Sequence, residues 1–186
     1  MSTNLILWIT AGVSFIVFLY LWSSYNSFIR SRNQVKTDFA DIDVQLKRRA
    51  SLIENLAAIV REYAKHEKGT FEGVAKARAA LEQPRGPKES ARIENMLTST
   101  LRSLFAVSEA YPKLRASENF QQLQEELKQT EDSIAKYREE YNQTVLDYNT
   151  DIQTFPNLLA AGLFGFQEEE LFATEEVNTE VQLKSE

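Results

Sequence analysis

Cysteine is absent from this 186-residue chain, which excludes disulfides, thiolate metal sites and acylation at an N-terminal Cys. Histidine occurs once, at His66, so a transition-metal site would rest on a lone imidazole. No Ser-His-Asp or Cys-His set and no Gly-rich phosphate loop is present, and the chain reads as a non-enzyme without a cofactor. Proline and glycine are scarce, and every proline lies beyond residue 83. The first half is thereby free to form one long helix. A basic surplus is missing too: the net charge of −6 argues against nucleic acid as a partner. Charge of either sign is absent from the first 29 residues.

What occupies those residues is an apolar run from Leu5 to Trp22. As a helix it covers roughly 27 Å, close to a hydrocarbon core of about 30 Å. Trp8 lies near one end and Tyr20, Trp22 and Tyr25 cluster at the other, as an interfacial aromatic belt would. A cleaved signal peptide is the rival reading. It would need a basic start and a small-x-small site, and Trp22-Ser23-Ser24 is a poor one. Residues 1–24 are therefore read as an uncleaved, single-pass anchor in the lipid bilayer. Arg30, Arg32 and Lys36 follow the run while Met1–Asn4 carries no Lys or Arg. The positive-inside rule then places the N-terminus outside and the bulk of the protein in the cytoplasm.

Beyond the run a 3-4 rhythm holds from Tyr25 through Phe28, Arg32, Val35, Phe39, Ile42, Leu46, Arg49, Ile53, Leu56, Val60 and Tyr63. That periodicity marks a helix built to pack against others with a left-handed supercoil. The expected fold is all-α: a transmembrane helix continuous with a long up-and-down four-helix bundle or coiled-coil stalk over residues 25–155. Helices are expected over about 25–67, 70–83, 88–111 and 119–154. Gly69 stops the first, Thr70 caps the second, and Pro84-Arg85-Gly86-Pro87 makes a tight connection. A stutter between Tyr141 and Val145 locally unwinds the supercoil. Residues 156–166 form an apolar segment near the membrane, and the acidic tail, 167–186, is expected to be disordered.

Few residues invite a chemical role. His66 with Glu62 and Glu67 sketches a metal site, but a histidine at a helix C-terminus is ordinarily there for the dipole. Arg32 and Arg49 break the apolar seam, so each must reach water or pair with an acid such as Glu109, Glu131 or Asp147. The Tyr-Asn dipeptides at Tyr25, Tyr141 and Tyr148 read as core tyrosines whose hydroxyls find partners. Lys47-Arg48-Arg49 is a basic patch about 35 Å along the helix from the anchor, and with a Debye length near 8 Å it suits a protein contact better than lipid.

A family resemblance rests on Asp41-Ile42-Asp43-Val44-Gln45-Leu46-Lys47-Arg48-Arg49 with Leu52-Ile53, and continues through Tyr63-Ala64, His66-Glu67 and Ala77-Arg78. Glu109-Ala110-Tyr111-Pro112, Asn119-Phe120, Thr130-Glu131, Tyr141-Asn142, Tyr148-Asn149 and Phe155-Pro156 to Gly165-Phe166 complete it. The chain resembles the LemA family of bacterial membrane-anchored helical proteins over essentially Tyr25–Phe166. It departs at Glu54, where the family usually has a proline. The resemblance implies a four-helix bundle on one N-terminal anchor in the bacterial inner membrane, with no established activity. Some relatives are linked to magnetosome membranes, and others are encoded beside membrane metalloproteases. Relatives with a lipoprotein signal carry the bundle outside the cytoplasm, so an extracytoplasmic bundle is the alternative orientation.

The expected helix lengths leave the middle pair too short to cover the membrane-proximal half of the stalk. Tyr25, Phe28 and Val35 would face only Val145, Tyr148, Ile152 and Phe155, leaving a wet seam that asks for a partner. The simplest partner is a second copy. The expected contact set is Tyr25, Phe28, Arg32, Val35, Phe39, Tyr148, Ile152, Phe155, Leu158, Leu159, Leu163, Phe164 and Phe166, with Trp8, Tyr20 and Trp22 at the membrane interface. The functional expectation is a self-associating membrane scaffold. The alternative is an adaptor or regulator of another membrane protein, such as a membrane metalloprotease.

Overall fold

Without a proline and with only Gly12 as a weak point, the N-terminal third has no reason to break, and it does not. A computed structural model describes residues 2–65, 67–83 and 85–172. Helix α1 runs unbroken over Ser2–Tyr63, joining the apolar run to the heptad stretch. Helix α2 covers Lys68–Leu81, α3 Pro87–Glu109, α4 Pro112–Arg115, α5 Glu118–Gln153 and α6 Asn157–Phe164. The described residues are all-helical apart from their connections and the extended stretch after α6.

Several boundaries differ from expectation for local reasons. Gly69 and Thr70 lie inside α2 rather than ahead of it, because the chain reverses earlier, with Glu67 as the N-cap residue. His66 lies outside the described residues. Helix α3 starts on Pro87, whose missing N–H costs nothing at the first helical position. It ends at Glu109, before Tyr111, which precedes Pro112 and is pushed out of helical geometry (φ −126°, ψ 81°). The single turn α4 was not expected; Leu114 justifies it by being fully buried. Helix α6 forms from the apolar segment and closes on Gly165, which adopts the left-handed conformation (φ 71°). The Phe166 N–H then reaches back to the Ala161 carbonyl at 3.0 Å, the six-to-one bond of a Schellman-type ending.

The chain divides into two compact units. The first comprises Met1–Thr37 and Gln143–Glu169. In it Phe28, Val35, Val145, Tyr148 and Ile152 are buried with Ala160 and Ala161. The expectation of a wet seam is corrected for these side chains, which the chain covers itself, while Tyr25 and Phe155 of the same seam remain exposed. Phe166 stacks edge-on against both Phe28 and Tyr25, at 5.1 and 5.8 Å between ring centroids. Helix lengths alone do not show this cover, because it comes from Phe166, beyond the last long helix.

The second unit comprises Asp38–Asn142 and the chain from Glu170. Apolar faces of four helices supply its core: Ile42, Leu46, Ile53, Leu56 and Val60 from α1, Val74, Ala77 and Leu81 from α2, Ile93, Leu97 and Leu104 from α3, and Phe120, Leu127, Ile134 and Tyr141 from α5. Ion pairs link the helices. Glu54 stays helical and pairs with Arg78 of α2. Arg138 of α5 meets Glu94 of α3 at 3.0 Å, and Arg49 of α1 approaches Glu131 of α5 at 3.7 Å.

Candidate functional site

In the first unit, α6 and the end of the apolar run make one assembly. Asn157, at the start of α6, accepts a hydrogen bond from the Tyr20 hydroxyl at 2.5 Å and donates to Asp151 at 2.6 Å. Its far end is held by Phe164, edge-on to Tyr25 at 5.0 Å. Helical periodicity sorts the rest. Ala160 and Ala161 face inward and are buried, whereas Leu158, Leu159 and Leu163 face away and are 52, 67 and 67% exposed. Small residues inside and leucines outside is the reverse of a water-soluble helix. The apolar run is bare as well: its most hydrophobic window has no residue buried against the rest of the protein. Trp8 and Trp22 are exposed, and Tyr20 is half-buried.

After Gly165 the chain extends along α5. The Tyr148 hydroxyl donates to the Gln167 carbonyl at 3.0 Å. Asn149 uses both ends of its amide on Glu169, accepting from its N–H at 2.9 Å and donating to its carbonyl at 3.0 Å. The Glu169 carboxylate is paired with Arg32 at 2.9 Å. Arg32 thus finds an acid, though not one of the three foreseen. Burial pushes the Tyr148 phenol above its ordinary pKa; Arg32 opposes that and Glu169 adds to it.

The second unit repeats the device. Tyr141 donates to the Glu170 carbonyl at 2.7 Å. Asn142 accepts from the Phe172 N–H at 2.8 Å and donates to its carbonyl at 3.2 Å. Lys88 pairs with Glu170 at 2.8 Å, and the Arg138 guanidinium lies 5.2 Å from the centre of the buried Phe172 ring. Residues 167–172 are therefore held in place, which corrects the expectation of disorder from 167 onward; residues 173–186 lie outside the described residues. Tyr141 and Tyr148 bury and find partners as foreseen, whereas Tyr25 is 42% exposed. The asparagines were overlooked, and their signal was visible: two Tyr-Asn pairs seven residues apart on one helix face. At Tyr25-Asn26 the asparagine makes no such clamp among the described residues; its backbone carbonyl accepts from Arg30 at 3.2 Å.

Elsewhere the picture is structural. Lys47-Arg48-Arg49 is not one patch: Lys47 pairs with Asp43 at 2.8 Å, Arg48 is exposed and Arg49 is buried. Arg85, unremarked in the sequence, has its guanidinium buried, pairs with Asp43 and donates to the Leu81 carbonyl at the end of α2. Burial lowers its pKa. Among the described residues no group of three or more His, Asp and Glu converges as a metal site.

A model of the LemA family matches residues 38–184. Magnetosome protein MamQ 2 of Paramagnetospirillum magneticum is 27% identical, over 86% of this chain and 68% of its own length. Magnetosome protein MamQ of Magnetospirillum gryphiswaldense is 24% identical over the same shares. The chain belongs to the LemA family.

Proposed function

We propose that this LemA-family chain is a single-pass membrane scaffold that self-associates and performs no catalysis of its own. The observation that carries the reading is the assembly of α1 and α6. A bare apolar helix of membrane-spanning length stands beside a second helix whose leucines face outward, and burying both in lipid removes the largest exposed apolar surface of the described residues. The similarity to magnetosome proteins supports a membrane-associated structural role. Residues 1–24 act as the anchor, 25–155 as a stalk and up-and-down four-helix bundle, and 156–166 as a foot in the membrane. The bundle is cytoplasmic, on the strength of Arg30, Arg32 and Lys36 just past the apolar run.

Self-association runs through what remains exposed of the expected contact set. Phe28, Val35, Tyr148 and Ile152 are occupied within the chain, so the contact falls to Phe155, Leu158, Leu159 and Leu163, with Phe155 81% exposed and Tyr25 and Phe164 part-exposed beside them. Mass measurement of the full-length protein in detergent tests this. A discrete oligomer that Leu158→Ser with Leu159→Ser reduces to a monomer is the expected result. A monomer from the outset favours the adaptor reading instead. Labelling of Ser185→Cys by an impermeant maleimide in intact cells would reverse the orientation.

A further inference from the structure

Where the apolar run meets α6 the first unit leaves a cleft of about 540 Å³, in the ordinary range for small-molecule sites of about 300–1,000 Å³. Its walls are Phe18, Leu21, Trp22 and Tyr25 on α1, and Leu163 and Phe164 on α6. The polar side chain on its rim is Asn26. One helical turn further, Arg30 donates from its Nε to the Asn26 carbonyl, at 3.2 Å, and is itself an exposed residue. Trp22, Asn26 and Arg30 succeed one another at four-residue steps along one stripe of α1, roughly 6 Å apart in rise.

We infer that this cleft binds one phospholipid of the surrounding bilayer, with an acyl chain between α1 and α6, an ester carbonyl on the Asn26 amide and the phosphate on Arg30. The order of chemistry along the stripe is the order along a lipid: hydrocarbon, ester, phosphate. Apolar walls alone would accept any greasy object, and continuity with the bare face of α1 decides the occupant. The cleft opens onto the same surface that lipid must cover, and an aromatic girdle of Trp22 and Tyr25 marks its depth as the interface. Among the described residues the Asn26 amide clamps no backbone as those of Asn142 and Asn149 do, which leaves it available. A guanidinium at that level matches a phosphate geometrically, with two N–H groups in one plane. The inference rests on the membrane reading of α1, but not on self-association.

The test uses the full-length protein in phosphatidylglycerol nanodiscs doped with a phosphatidylglycerol that carries a diazirine on one acyl chain. Cross-links are mapped by peptide mass spectrometry. The expected result is labelling of Trp22, Leu163 and Phe164 several-fold above Val13 and Ile16 on the bare run. Leu163 is exposed, so Leu163→Trp fills the cleft without disturbing the core and should remove that excess. Arg30→Gln should abolish the preference for the lipid over a diazirine fatty alcohol lacking phosphate. Uniform labelling along α1, unchanged by Leu163→Trp, would mean ordinary annular lipid and overturn the site. Absence of any label on residues 5–17 would instead overturn the membrane reading itself.

Discussion

Asn142 faces the backbone of Phe172 as a strand neighbour would, taking its N–H at 2.8 Å and giving to its carbonyl at 3.2 Å. A side-chain amide is the one uncharged group that matches a peptide unit donor for acceptor. Asparagine is required for that match, and size alone does not suffice. Asn142→Asp keeps the acceptor but sets a carboxylate against the Phe172 carbonyl. Asn142→Ala leaves two part-buried backbone groups without partners. Each substitution should destabilise the protein by about 1–3 kcal/mol. Hydrogen exchange at the Phe172 amide checks it, with a marked loss of protection expected for both variants. Unchanged protection would show that Phe172 is held by its ring alone.

Tyr148 supplies an alkaline dependence. Its pKa is raised in the folded state, chiefly by burial, so the folded protein holds the phenolic proton more tightly than the unfolded chain. Below the unfolded value of about 10 both states are protonated and the contribution is fully present. As pH rises beyond it the unfolded chain ionises first, and the stabilisation is lost as the folded pKa is passed. Tyr148→Phe should flatten the fall in melting temperature above pH 10. At pH 7 it should cost only the bond to Gln167, about 1 kcal/mol. An alkaline fall of equal size in both proteins would assign it to other groups.

The 3-4 rhythm of α1 was legible because a long unbroken apolar seam has few readings. The unbroken N-terminal helix and the buried stripes Ile42–Val60, Ile93–Leu104 and Phe120–Tyr141 follow from apolar spacing of this kind. What stayed hidden depends on contacts distant in sequence. The segment from Gln167 is acidic, and composition cannot reveal that α5 recognises its backbone as well as the Phe172 ring. Arg85 looked like loop filler because its role, satisfying the Leu81 carbonyl at 2.6 Å, exists only once α2 has ended there. The seam around Phe28 looked wet because Phe166 lies 138 positions away along the chain.

Phe172 anchors the same segment by volume. It is 2% exposed, and the Arg138 guanidinium lies against its ring. Phe172→Ala should cost about 3–5 kcal/mol from lost transfer free energy and the cavity left behind. Phe172→Leu retains most of the burial but loses the cation–π contact, and should cost no more than about 2 kcal/mol. Urea midpoints of the two variants measure the difference, and near-equal midpoints would exclude an aromatic contribution.

Arg49 offers the sharpest separation of stability from specificity. Its side chain is 2% exposed, yet its acidic neighbour, Glu131, is 59% exposed and stands 3.7 Å away. Water screens such a partner, so the desolvation of the guanidinium is poorly offset. Among the described residues its Nε finds no protein acceptor. Replacing a buried, weakly compensated cation with an apolar side chain of similar length should then be neutral or stabilising. Arg49→Met is expected to leave the urea midpoint unchanged or raise it, by up to about 2 kcal/mol in stability. Glu131, left alone at the surface, stays hydrated and adds little penalty. If Arg49 instead fixes the register of α1 against its neighbours, the same variant will be equally stable but less uniquely packed. Broadened side-chain NMR signals at Ile53, Leu101 and Leu127 would report that outcome. A large loss of stability would contradict both roles and show that the pair with Glu131 holds the second unit together.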